Sequence, residues 1–243
     1  MATDLFSKWL TPSTTDEHVA VWSERPGARV AGLTAVRKLL TQHFVGEATI
    51  LQAGGYTKAA AVIANSLPDN KRTRSGDLGE LLATEYVDAK TPFVIPIRKL
   101  RWKSDRQMPM HGNDVIAVDP THDPVRVLKG ECKSRAALGA AVIKEAAEGL
   151  DKHGGRPNPS TLAFITKRLY EEKRDAEAHL YQDLQCKGAI TPKQVTHLIF
   201  GLCGNDPAAH LKAAPKAKRP GIKRETAAIV ITDHGAFIKK VFS

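Results

Sequence analysis

Asp114, Glu131 and Lys133 are spaced as hydrolysis of a phosphodiester requires. That reaction needs a divalent cation held by hard oxygen ligands, a water deprotonated beside it, and positive charge on the developing pentacovalent phosphate. Two or three carboxylates and one lysine suffice. Glu131 and Lys133 are two residues apart, so on a strand they point the same way. One suits metal coordination and the other suits orienting the attacking water or offsetting charge on the phosphate. Cys132, between them, would offer only its backbone carbonyl. Glu80, in Asp77-Leu78-Gly79-Glu80, is the natural fourth member, with Gly76 and Gly79 allowing close approach.

Each piece has a plainer reading. Asp77 and Glu80 also fit a capping box, with Asp77 as the N-cap and Glu80 reaching back. Asp114 after Gly112-Asn113 fits turn chemistry. Glu131 and Lys133 could be a solvated ion pair on an edge strand. Their joint order is what sets them apart: a helical Glu, a strand-opening Asp, a strand-ending Glu-x-Lys, then a helix. Other chemistries find no support. Gly130-Glu131-Cys132-Lys133-Ser134 lacks the upstream glycine and the Gly-Lys pair of a phosphate-binding loop, and there is no HExxH. His111, His153 and His234 are scattered without ligand spacing and read as surface or satisfied core residues, although His111 lies three residues before Asp114. Cys132, Cys186 and Cys203 form no CxxC and read as small buried hydrophobes.

The elements that must position these residues follow from periodicity. Residues 28–66 place apolar positions at helical spacing, and residues 1–70 are expected to be an N-terminal helical region that could bind a partner. Ser66-Leu67-Pro68-Asp69-Asn70 is a turn-rich boundary. A helix is expected to open at Asp77-Leu78-Gly79-Glu80 and run to about Val87. Strands are expected at Phe93–Ile97, an edge strand because of its proline, at Asn113–Asp119 and at Val125–Lys133. Alternation puts Val125, Val127, Lys129, Glu131 and Lys133 on one face of the last strand and Leu128, Gly130 and Cys132 on the other. A helix from about Ala136 to Lys152 comes next, then a helical insertion over about 155–190, then apolar strands at Val195–Cys203 and Ala227–Ile231 around a basic loop, 212–224. The order predicts an α/β fold for residues 71–243, a mixed sheet with helices packed on it.

Charge adds a partner class. Thirty-six Lys and Arg against 26 Asp and Glu give a formal net charge of +10 in 243 residues. A polyanion is favoured, bound through counterion release. The residues expected to grip its backbone are Arg74, Arg98, Lys99, Arg101, Lys103, Arg106, Lys129 and Arg135. Trp102, within that run, could stack on a base but is expected in the core. No apolar run approaches the roughly 20 residues that cross a bilayer, and Met1–Leu10 lacks the form of a secretory signal, so no membrane partner and a cytoplasmic location are expected.

Three segments carry a family resemblance: Arg74-Ser75-Gly76-Asp77-Leu78-Gly79-Glu80, then Leu100-Arg101-Trp102-Lys103 continuing to Met110-His111-Gly112-Asn113-Asp114, then Leu128-Lys129-Gly130-Glu131-Cys132-Lys133-Ser134-Arg135. Over about residues 70–170 the chain resembles HamA, the nuclease subunit of the Hachiman anti-phage defence system, and through it the PD-(D/E)xK nucleases. The resemblance implies a restriction-endonuclease-like core, Mg²⁺ (or Mn²⁺) dependence, DNA as substrate, and a HamB-like superfamily 2 helicase as partner, which would restrain the nuclease until triggered. Asn113 stands where the superfamily name has proline, and the choice between Asp77 and Glu80 as the helical carboxylate stays open. The competing expectation is a non-catalytic, nucleic-acid-binding adaptor of a helicase complex.

Overall fold

The structure is a computed structural model that describes residues 5–64, 66–110, 112–186 and 190–243, with the backbone alone for a few helical residues between 47 and 61. His111 lies outside the described residues. A six-stranded mixed sheet in the order β1-β2-β6-β5-β4-β3 forms the middle layer. Its strands are β1 (Leu10–Asp16), β2 (Val19–Glu24), β3 (Val115–Asp119), β4 (Arg126–Arg135), β5 (Val195–Cys203) and β6 (Lys223–Val230). The strands β2, β6, β5 and β4 are mutually parallel, and the two outer pairs, β1/β2 and β3/β4, are antiparallel. β5 is buried along its whole length, as expected of a central parallel strand covered on both faces.

Alternation sorts its side chains to the two faces. Leu198, Phe200 and Leu202 meet α1 (Arg29–Phe44), α4 (Lys71–Lys90) and α9 (His234–Val241) in one core. Val195, Ile199 and Cys203 face the opposite layer, made of α5 (Ala140–Asp151), α6 (Pro159–Glu171), α7 (Asp175–Asp183) and α8 (Ala208–Lys212). Two short helices, α2 (Glu47–Gln52) and α3 (Tyr56–Ile63), follow α1. The α/β class and the flanked mixed sheet are therefore as expected.

Three elements differ from the sequence reading. The first is the helix carrying Glu80, which opens at Lys71 rather than at Asp77. Asn70 caps it, its side chain accepting the Thr73 N–H at 2.7 Å. Asp77 and Glu80 are thus interior to the helix, and the capping-box reading falls. Second, Phe93–Ile97 is not a strand, since Val94 alone bridges Val118. Pro92 and Pro96 lack the N–H groups a ladder needs. Third, residues 10–24 contribute two strands for which no sequence signal was read. β2 lies against β6, and Trp9 stacks on Phe237 with ring centroids 5.1 Å apart.

Candidate active site

β3 begins at Val115, opposite Gly130, whereas β4 continues to Arg135. Among the described residues, no strand therefore pairs with the outer edge of β4 from Glu131 onward. Asp114 occupies that gap, its carboxylate accepting the Cys132 N–H at 2.7 Å. An extended residue directs its N–H and C=O to the same edge, so the Cys132 carbonyl shares the Asp114 side. Gly130 permits the closure, because a Cβ there would stand 2.9 Å from that of Val115.

Glu131 and Lys133 project from β4 toward α5, as alternation predicts. Lys133 Nζ donates to Glu131 at 3.2 Å and to Glu145 of α5 at 2.9 Å. The Glu131 carboxylate rests on Gly149, where an added Cβ would lie 3.1–3.3 Å from its atoms. On the other face α4 crosses close to β4. A Cβ at Gly79 would meet Cys132 Sγ at 2.9 Å, so this glycine sets the approach of the helix. Gly76 has open space before it and leaves room in the cleft instead. Glu80, next along α4, forms an ion pair with Lys99 at 3.2 Å. A cleft of about 570 Å³ is lined by Glu80, Asp114, Glu131, Lys133 and Arg135. The four residues read from sequence thus surround one space.

Electrostatics bear on what that space can hold. Burial, then the charge of Asp114, raise Glu80 to about 7 against the opposing pull of Lys99. Burial raises Asp114. Burial and then the Asp114 charge raise Glu131. The Cys132 thiol is pushed well up by burial and by the three carboxylates around it, which disfavours the thiolate that metal ligation would need. Lys133 is raised on balance, because its bonds to Glu145 and Glu131 outweigh burial. Three enclosed carboxylates that resist ionisation beside one another are what a cation relieves. Their oxygens, with the Cys132 carbonyl, form a hard donor set suited to Mg²⁺ or Mn²⁺. Among the described residues no group of three or more His, Cys, Asp or Glu is gathered at ligand distances. Glu80 leans on Lys99 and Glu131 on Lys133, so the donors would have to turn from these lysines to a metal. Asp77 pairs with Lys103 at 2.8 Å, and Glu80 is the helical carboxylate that feels the Asp114 charge.

The expected basic contacts divide by burial. Lys129 is fully enclosed and donates to the carbonyls of Leu150 and Lys152, at 2.7 and 2.9 Å, at the end of α5. It is out of reach of a phosphate backbone, and that expectation is corrected. Lys99 and Lys103 are enclosed in their pairs with Glu80 and Asp77. Arg98 bonds Glu85 and Asp88, Arg101 bonds Glu172, and Arg106 bonds Asp69. Arg74 donates to the Pro68 carbonyl and lies over the Phe242 ring. Arg135 is exposed at the cleft, together with Arg72. The loop 212–224 exposes Lys216, Lys218, Arg219 and Lys223 at the opening end of β6, whereas the cleft lies along the later half of the parallel strand β4. Trp102 is partly buried with Arg168 over its ring at 4.4 Å.

Several site residues went unread. Glu145 and Gly149 lie four apart on α5 and so share the face that meets Glu131 and Lys133. The cysteine expectation fails for Cys186, which is exposed. His234 is a satisfied core residue, bonded to Ser134, whose hydroxyl also meets that of Ser75 at 2.8 Å.

Comparison with known proteins agrees with the resemblance. The Hachiman protein HamA of Bacillus cereus is 33% identical over 121 residues, 49% of this chain and 42% of that relative, so the match spans less than half of the relative's length. A model of the HamA family matches residues 30–243, which include every element of the cleft. The chain belongs to the HamA family.

Proposed function

We propose that this chain is a metal-dependent DNA nuclease of a Hachiman anti-phage defence system, working beside a helicase of the HamB type that restrains it. The observation that carries the nuclease reading is the Asp114 carboxylate seated on the Cys132 N–H, which sets Asp114, Glu131 and Lys133 around one opening with Glu80 facing them. Family membership and the name of the Bacillus cereus relative support the place in defence.

Asp114, Glu131, Glu80 and the Cys132 carbonyl would hold Mg²⁺ or Mn²⁺. Such an ion, when bound, supplies Lewis acidity to the phosphate and lowers the pKa of water. Lys133, bonded to Glu131 and Glu145 at the cleft, would donate to a phosphate oxygen and orient the attacking water. Arg72 and Arg135, exposed at the cleft, meet the flanking phosphates.

Cleavage of supercoiled plasmid by the purified chain with Mg²⁺ tests this reading. Lys133→Ala, Asp114→Asn and EDTA should each reduce cutting by at least about a hundredfold. The adaptor reading is favoured by the lysine pairs that neutralise Glu80 and Glu131. No cutting by wild type under any condition, with DNA binding intact, would establish it. Restraint is tested by adding the helicase, which should slow cutting until the trigger is supplied.

A further inference from the structure

A second cavity, about 650 Å³, opens beside the catalytic cleft, and Pro109 and Met110 line both. Its size falls in the range of sites that take a nucleotide-sized ligand. Its aromatic and apolar lining comes from Trp102, Phe164 and Met108. Met108 is 55% exposed, a large apolar side chain held in solvent at the rim. Polar groups line it as well, Asn158 and Ser160 at the start of α6, one turn before Phe164 on the same helix, and Lys103 and Asp105 from the preceding loop. Asn158 caps that helix, and a 13-residue helix presents the positive end of its dipole here. Lys99 lines it too, and its ammonium reaches Glu80 in the catalytic cleft.

A cavity that sets apolar and aromatic side chains beside hydrogen-bonding groups has the chemistry that suits a nucleobase, flat on its faces and polar at its edge. A paired base presents no face to such a slot, because the faces are stacked within the duplex. We propose that this cavity binds one unpaired base of the DNA strand whose phosphate enters the catalytic cleft, so that the preferred substrate is single-stranded or frayed DNA. The proposal rests on the nuclease reading for what happens in the cleft, but the base site is a binding site and is measurable without cutting. Met108 and Phe164 cover the base faces, Asn158 and Ser160 meet its edge, and the shared wall of Pro109 and Met110 separates base from phosphate. The substrate class also suits a chain working beside a helicase, whose product is unpaired strand.

The test uses the full chain in EDTA, where no metal-dependent cutting occurs, with a single-stranded oligonucleotide carrying one 2-aminopurine and a blunt duplex of the same sequence. Wild type should quench 2-aminopurine in the single strand and bind it more tightly than the duplex. Ser160 and Met108 are both exposed, so Ser160→Trp, which fills the slot, and Met108→Ala, which opens the rim, should fold as wild type does. Ser160→Trp should abolish the quench and weaken single-strand binding about tenfold, with duplex affinity little changed, and Met108→Ala should weaken it severalfold. Equal affinity of wild type for the two DNAs, or an unaltered quench in Ser160→Trp, would overturn the proposal. Plasmid cleavage by wild type in Mg²⁺, read separately, decides the nuclease reading whichever way the base site falls.

Discussion

At the scale of single residues, the site depends on glycines as much as on the charged groups it presents. Gly149 sits on α5 against the Glu131 carboxylate, so close that any side chain there must displace it. Gly149→Ala places a methyl 3.1–3.3 Å from that carboxylate, and the side chain must turn aside. Yet alanine is the better helix former, by about 1 kcal/mol. The variant should therefore melt at or above the wild-type temperature while its Mn²⁺ affinity and plasmid cutting fall about tenfold. Calorimetric titration beside a thermal melt checks this, and a fall in melting temperature matching the loss of affinity would mean that the helix, not Glu131, had been disturbed. Gly79→Val makes the contrasting case. Its side chain meets Cys132 and Ser134 and pushes α4 off β4, costing about 1–3 kcal/mol and displacing Glu80 along with it, so stability and metal binding should fall together.

At the scale of elements, the position of α5 is fixed by a row of polar residues across three parallel strands. Lys129 of β4 pairs in register with His197 of β5, and His197 with Arg224 of β6. All three turn toward the end of α5 and the chain after it. Lys129 meets the Leu150 and Lys152 carbonyls, Arg224 bonds Asp151, and His197 donates to the Gly155 carbonyl at 2.7 Å. His197 Nδ1 accepts from Arg224, so the ring is neutral with its proton on Nε2. Burial foremost, then Arg224 and Lys129, hold it at about 4. The unfolded chain, with a histidine near 6.5, binds a proton that the folded chain refuses between those values. Stability should accordingly be lost as pH falls from about 6.5 to 4, by about 3 kcal/mol from this group alone. His197→Gln should lower stability at pH 7 but flatten that slope, and urea melts at pH 4.5, 5.5 and 7 compare the two. An unchanged slope in the variant would place the acid sensitivity elsewhere.

The same row shows what sequence can and cannot tell. Alternation put Lys129 on the face of Glu131 and Lys133, which is correct, but charge alone suggested solvent. Only the end of α5, with carbonyls lacking partners of their own, explains why a lysine is drawn inside. Glu80, Asp114, Glu131 and Lys133 were legible because strand period and motif order are local. Their pairing with Lys99 and Glu145 was not, since it depends on how a loop and a helix pack. The start of α4 was misread because the basic run after Asn70 obscured a good N-cap.

For the whole molecule, a cut at residue 70 looks natural from the turn-rich sequence there, but the sheet crosses it. β1 reads weakly as a strand, because Leu10-Thr11-Pro12-Ser13-Thr14-Thr15-Asp16 is polar and carries a proline, as suits an edge. β2 nonetheless covers β6 along five paired positions, and Leu5, Phe6, Trp9 and Leu10 enter the same core as Leu81, Phe200 and Phe237. Removing residues 1–70 would uncover the edge of β6, a strand with Ala227, Ala228 and Ile229 fully buried, and leave Phe237 without its stacked partner. An exposed apolar edge strand templates pairing with another chain. A fragment of residues 71–243 should therefore be insoluble, or associate and melt without a cooperative transition. A shorter cut at residue 28, which removes the hairpin but leaves α1, should behave in the same way. Size-exclusion chromatography and a far-ultraviolet melt of both fragments check this. A soluble monomeric 71–243 fragment with a sharp transition would show that the later strands and helices fold without the hairpin, and that residues 1–70 are an appendage to them.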